Sequence, residues 1–146
     1  DCTPNEIKRY TRKISGPLLD RIDIHVHVPR VKYEDMTSVA KAESSAAIRE
    51  RVLAAREIQM ERFREWGIFC NAQMSHAILK KTCHLEPEAQ NLLAQAFQVM
   101  NLSARSYDRI IKVARTIADL DGAATIEAKH VGEAIQLRDD VGLNVE

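Results

Sequence analysis

A cation in the first turn of a helix works against the backbone dipole, which favours negative charge there. Arg105 occupies such a place, two residues after Ser103 at the start of a helical pattern that runs to Asp121. With free backbone N–H groups at the same end, its guanidinium would make a site for a phosphate. The alternative is a solvated arginine balanced by Asp108 one turn on. Arg109, Lys112 and Arg115 continue a basic edge beside the apolar stripe and read as an ordinary solvated face.

Arg21 stands between a Gly16-Pro17 turn and an alternating segment, with Asp20 and Asp23 beside it. Such a boundary can aim a side chain outward, or hold a surface ion pair of little energetic value. Asp23, His25 and His27 share one face of that segment, a spacing that offers two imidazoles to a metal. No third ligand is evident, and the plainer reading is the wet side of a strand. Cys70 and Cys83-His84 lack the paired spacing of a zinc knuckle and read as buried apolar groups. No Ser-His-Asp or Cys-His arrangement offers a nucleophile. Neither a GxxxxGK[ST] phosphate loop nor an apolar strand ending in paired acids occurs, so these residues alone are not expected to hold ATP.

The elements that must position these groups are mostly helical. Ile7, Tyr10 and Ile14 fall at helical spacing before Ser15-Gly16-Pro17 ends the pattern. Ile22, Ile24, Val26 and Val28 then alternate with polar residues, predicting one strand closed by Pro29, whose sheet partners must lie elsewhere. The polar stretch from Val31 to Glu43 reads as a linker. From Ser44 a long helix is expected to Trp66, with Ile48, Val52, Ala55, Phe63 and Trp66 roughly on one side, broken by Gly67. A short helix follows over about Ser75 to Cys83, then a third from Pro87 with Ala89, Leu92, Leu93, Ala96, Phe97 and Met100 on its apolar face. The fourth, from Ser103 to Asp121, carries Tyr107, Ile110, Ile111, Ala114, Ile117 and Ala118, with Ser103 as cap and Leu102 stapled to Tyr107. Gly122 closes it, and Glu127 to about Asp139 makes the last. The fold class is mainly α: a helical bundle preceded by a short helix and one strand.

Bulk properties narrow the partners. The 146 residues, 45% of them hydrophobic, suffice for one packed domain. Lys+Arg and Asp+Glu both number 21, so overall charge argues for no nucleic acid, membrane surface or acidic partner. Three widely spaced cysteines fit reduced thiols better than a disulfide framework, and no run approaches the roughly 20 apolar residues of a membrane span. A cytoplasmic protein is expected. The turn-like opening at Asp1-Cys2-Thr3-Pro4, without an initiator methionine, reads as that of a fragment excised from a longer chain.

Two long strings carry a specific resemblance: Thr3-Pro4-Asn5-Glu6-Ile7-Lys8-Arg9-Tyr10 running on into Ile14-Ser15-Gly16-Pro17-Leu18-Leu19-Asp20-Arg21-Ile22-Asp23, and Leu102-Ser103-Ala104-Arg105-Ser106-Tyr107-Asp108-Arg109 running on to Leu120. Together with Cys70-Asn71-Ala72-Gln73-Met74 and His130-Val131-Gly132-Glu133-Ala134, they resemble the magnesium-chelatase-like AAA+ proteins of the YifB/ComM family. The resemblance implies that residues 1–30 end the large ATPase subdomain, 31–43 link it onward, 44–140 form the helical lid and 141–146 a tail. It implies that Arg21 is an arginine finger acting in trans on ATP held by a neighbouring subunit, and that Arg105 is the sensor-2 arginine, both stabilising phosphoryl transfer. Cys2 resembles the last member of an upstream cysteine cluster whose companions lie outside this sequence, so no metal site is assigned.

The implied activity is that of a homo-oligomeric ATPase using ATP and Mg²⁺, with its nucleotide-binding core upstream and DNA remodelling or branch migration in DNA uptake and recombination as its work. Two other readings remain: a motor subunit of a true magnesium chelatase, and a non-enzymatic helical interaction module with a binding surface along Arg105, Arg109 and Lys112.

Overall fold

A computed structural model describes residues 3, 18, 21–26, 28–31, 33, 42–100 and 102–139. Five helices and one 3-10 turn follow in order: α1 Ser45–Arg62, the turn Asn71–Gln73, α2 His76–Thr82, α3 Pro87–Val99, α4 Ala104–Leu120 and α5 Ala128–Asp139. The expected basic helix over residues 7–14, Cys2 and the tail lie outside the described residues. No helix among the described residues is long and apolar enough to cross a membrane.

Serine hydroxyls start three of these helices. Ser44, Ser75 and Ser103 each accept a hydrogen bond from a backbone N–H three residues on, at Ala47, Ile78 and Ser106, satisfying one of the donors that a helix start leaves open. Pro87 takes the first position of α3, where its missing N–H costs nothing.

α4 is the axis of the bundle. It packs against α1, α2, the 3-10 turn and α5, while α3 packs on α5. Its inner face buries Ile110, Ile111, Ala114 and Ala118 against Phe63, Leu79, Leu93, Ile126 and Val131. One short parallel bridge, Leu85 to Ile126, ties the α2–α3 connection to the α4–α5 connection: Glu86 N–H donates to the Ile126 carbonyl at 3.0 Å and Ile126 N–H to that of His84 at 2.8 Å.

The end of α4 shows how a single glycine stops a helix. Ala123 N–H donates to the Ala118 carbonyl at 2.8 Å and Gly122 N–H to that of Asp119 at 3.2 Å, a closure that needs positive φ at Gly122, where it is 67°. Nothing lies within 4 Å of where a Cβ would stand, so the cost of a side chain there is backbone strain alone. Gly122→Ala is expected to lower unfolding stability by about 1–2 kcal/mol, measured by urea denaturation. A loss below a few tenths would mean that the cap relaxes freely.

Two expectations need correction. Among the described residues of the 22–28 segment there is no strand, and Ile24, Val26 and Val28 are left exposed. An alternating sequence becomes a strand only when a neighbour completes its hydrogen-bond ladder, and none is present among the described residues. On α1, moreover, only Ala55 and Gln59 are buried, and Ile48 and Val52 remain 42% and 46% exposed. The bundle covers only the second half of that helix, while Phe63, just beyond its end, enters the core completely.

Candidate functional site

The outer face of α4 forms one wall of a groove of about 570 Å³. Arg105, Arg109 and Lys112 supply its positive charge, Asp108, Asp23 and Glu133 its negative charge, with Ala72 and Leu137 on other walls. Charge is thus mixed, and what matters is which groups are already committed.

Lys112 Nζ donates to the Ala72 carbonyl at 3.1 Å. Arg109 Nη1 donates to the Arg21 carbonyl at 2.5 Å and is ion-paired with Asp23. Asp108, the candidate counter-ion for Arg105, is instead 2.8 Å from Nδ1 of His76. Arg105 is exposed, and among the described residues its side chain has no hydrogen bond or ion pair. It stands at the second position of α4, beside the Ser103 cap, so both the guanidinium and the helix end are open to an anion.

Arg21 is also exposed, in a turn whose N–H donates to the Leu18 carbonyl at 3.0 Å. Its side chain does not line the groove, although Asp23 and Ile24 just after it do. The structure therefore brings the Arg21 segment to the α4 face without pointing Arg21 at Arg105's space. His27 lies outside the described residues. His25 is spent on docking: its backbone N–H donates to the Leu137 carbonyl at 2.6 Å and its Nδ1 to that of Arg138 at 3.0 Å. No group of three or more His, Cys, Asp or Glu among the described residues could hold a metal ion.

Arg115 departs most from the sequence reading. It is fully buried instead of solvated. Its Nε donates to Asp119 at 3.0 Å, and its two terminal nitrogens donate to the carbonyls of Ala124 at 2.9 Å and Ala123 at 2.6 Å. Asp119, equally buried, also accepts from both terminal nitrogens of Arg62 and from Asn71 Nδ2 at 2.8 Å. Burial pushes the Arg115 guanidinium below its usual pKa, and the Asp119 charge opposes that shift. The connection after Gly122 folds back over Arg115, which is why a residue on the edge of the apolar stripe ends inside.

Asn71 extends this network. Its N–H donates to Gln59 Oε1 at 3.2 Å and its Nδ2 also reaches Thr116 Oγ1 at 3.0 Å. Since Ala72 is the next residue, the network fixes the groove wall that holds Lys112. The Asn71-Ala72-Gln73 string was visible in the sequence, but nothing in its spacing marked Asn71 as a buried hub. Cys83 is buried as expected, and burial pushes its thiol up, but Cys70 is partly exposed because it sits at the start of the 3-10 turn.

Residues 42–138 match the family described as magnesium chelatase, subunit ChlI C-terminal, and residues 1–36 match magnesium chelatase, subunit ChlI. The chain is 39% identical over 137 residues to the competence protein ComM of Haemophilus influenzae, covering 93% of this chain and 26% of that protein. It is 37% identical over 138 residues to an uncharacterised protein, YifB, of Escherichia coli, covering 94% and 26%. An uncharacterised protein of Mycobacterium tuberculosis is 35% identical over 137 residues, covering 94% and 27%. The chain thus spans about a quarter of the length of the curated relatives it matches.

Proposed function

Because the chain belongs to the YifB/ComM family of magnesium-chelatase-like proteins, we propose that it is the C-terminal part of an oligomeric AAA+ ATPase. In this reading the five helices form the lid, Arg105 is its sensor-2 arginine and Arg21 is the finger directed at a neighbour's ATP. The observation that carries the proposal is the uncommitted state of Arg105. Of the three cations on the groove, Arg109 and Lys112 are occupied by protein acceptors, and the acid that would have neutralised Arg105 is held by His76.

The chemistry asked of this chain is electrostatic. A phosphoryl group in transfer spreads negative charge over its oxygens, and a preplaced guanidinium stabilises that charge without reorganising water. When bound, ATP would supply the reacting group and Mg²⁺ would offset its negative charge; in this reading the phosphate loop and acidic pair that would hold them belong to the upstream core. Arg105, with the open end of α4, fits the role of a phosphate contact: it is exposed, rigidly based and without a counter-ion among the described residues.

The test is Arg105→Ala in the full-length protein. Turnover of ATP should fall by about 10²-fold, with thermal unfolding unchanged, because an exposed side chain with no hydrogen bond or ion pair among the described residues contributes little to stability. Hydrolysis at the normal rate would return Arg105 to the solvated surface.

The name of the Haemophilus influenzae relative associates that protein with competence, and we extend this to DNA remodelling or branch migration as the work done by the full-length protein. The overall charge balance supplies no support of its own. Forked or four-way DNA should therefore bind the full-length protein with a steep salt dependence. An active ATPase indifferent to DNA but stimulated by chelatase partner subunits would favour a true chelatase motor instead.

A further inference from the structure

Arg109 lies one helical turn beyond Arg105, yet it faces the segment that carries Arg21. Its Nη1 donates to the Arg21 carbonyl at 2.5 Å and pairs with the Asp23 carboxylate, so one guanidinium grips the chain at the putting-out point of the finger and two residues later. A second clamp comes from α5. Arg138 Nη1 reaches the Ile22 carbonyl at 3.5 Å, and its Nη2 donates to Ser106 Oγ at 3.0 Å. Ser106 Oγ is in turn 3.0 Å from the Ser103 hydroxyl that caps α4 beside Arg105. His25 completes the attachment through the carbonyls of Leu137 and Arg138. Every residue from Arg21 to Asp23, and His25, is thereby tied to α4 or α5.

Resting on the functional reading above, we propose that Arg109 is a positioning residue for Arg21: it fixes the finger to the lid helix that bears Arg105, so that phosphate engagement in one subunit sets the placement of the finger offered to the next. The energy of such a contact is modest, since partly exposed ion pairs are worth little in stability. Its leverage is geometric. A displacement of about 1 Å at a catalytic group costs on the order of 10²-fold in rate, so a weak tether is enough when the tethered group must be accurately placed. Among the described residues, the Arg21 turn itself adds the donation from Arg21 N–H to the Leu18 carbonyl. The consequence is unusual for a lid residue. Removing Arg109 should damage hydrolysis in the neighbouring subunit and leave the subunit's own site intact.

The experiment uses full-length Arg109→Ala, with Asp23→Ala as a second variant that removes the carboxylate half of the grip from an exposed position. Each is assayed alone and mixed with subunits whose own nucleotide loops are inactivated but whose Arg21, Asp23 and Arg109 are intact. Arg21→Ala is run beside them. Alone, Arg109→Ala should show kcat reduced by about 10- to 100-fold at unchanged KM; in mixed assemblies turnover should recover, as for Arg21→Ala, because the dead partners supply well-placed fingers. A normal kcat, or a defect that mixing does not relieve while Arg21→Ala is relieved, overturns the positioning role and leaves the finger standing. If Arg21→Ala itself hydrolyses ATP normally or is not relieved by mixing, the finger reading falls and this inference with it.

Discussion

Asp119→Ala should cost about 3–5 kcal/mol of stability and lower the Tm by roughly 10–20 °C. The size of the effect follows from what Asp119 neutralises. Two guanidiniums, those of Arg62 and Arg115, converge on one carboxylate with no exposure of its own, and Asn71 adds a third donor. Without it, Arg115 keeps its charge in a fully buried position with only two carbonyls as acceptors. Arg62 is less affected, since its side chain is 17% exposed and retains Asn71 Oδ1 at 3.1 Å and the Phe63 ring.

The ranking among variants discriminates this account from simple loss of packing. Arg115→Met removes a buried cation and leaves Asp119 paired with Arg62, so it should destabilise less than Asp119→Ala, because an uncompensated charge costs more than a missing pair. Urea unfolding followed by circular dichroism checks both. Equal losses, or an Asp119→Ala variant within about 0.5 kcal/mol of the parent, would show that the network is not what joins α1, the 3-10 turn and α4. Because Asn71 belongs to the network and Ala72 holds Lys112, a damaged network should also disorder the groove.

Arg21→Ala should reduce ATP turnover in the full-length protein by about 10³-fold or more, the range in which arginine fingers act. Its side chain is exposed and has no hydrogen bond or ion pair among the described residues, so stability should stay within about 0.5 kcal/mol. A large kinetic effect with no thermodynamic one marks a group that serves catalysis and not folding, and recovery on mixing with nucleotide-loop-dead subunits is what marks it as acting outside its own subunit. Arg21→Lys should rescue only partly, since a compact ammonium does not reproduce the planar, delocalised fork that phosphate oxygens accept. Turnover within twofold of the parent for Arg21→Ala would remove the finger assignment, whatever Arg105 does.

Arg115 and Arg105 show why one sequence pattern yields two different fates. Both lie on α4 among alternating apolar and basic residues, and periodicity ranks both as edge positions. Arg105 departs from local preference, a cation at the positive end of a dipole, and that conflict is readable without coordinates. Arg115 violates nothing locally. Its burial depends on carbonyls of Ala123 and Ala124, placed by the turn at Gly122, and on Arg62 from α1, 53 positions earlier in sequence, sharing its carboxylate. The same limit applies to Asp108, whose i+3 spacing from Arg105 suggested an ion pair that His76 of α2 takes instead.

The helices α3, α4 and α5, their serine and proline starts and the glycine stop of α4 were determined by the sequence itself, because period 3.6, capping hydroxyls and positive φ are properties of a few neighbouring residues. So was the family, carried by contiguous strings. Only the tertiary structure decided that the Ile22 to Val28 alternation forms no strand among its described residues, that half of α1 stays uncovered, that Arg115 is buried and that Arg109 grips the Arg21 segment. Each of these depends on which distant surface arrives to complete a hydrogen bond, a charge pair or an apolar face, and that arrival is set by packing of the whole chain.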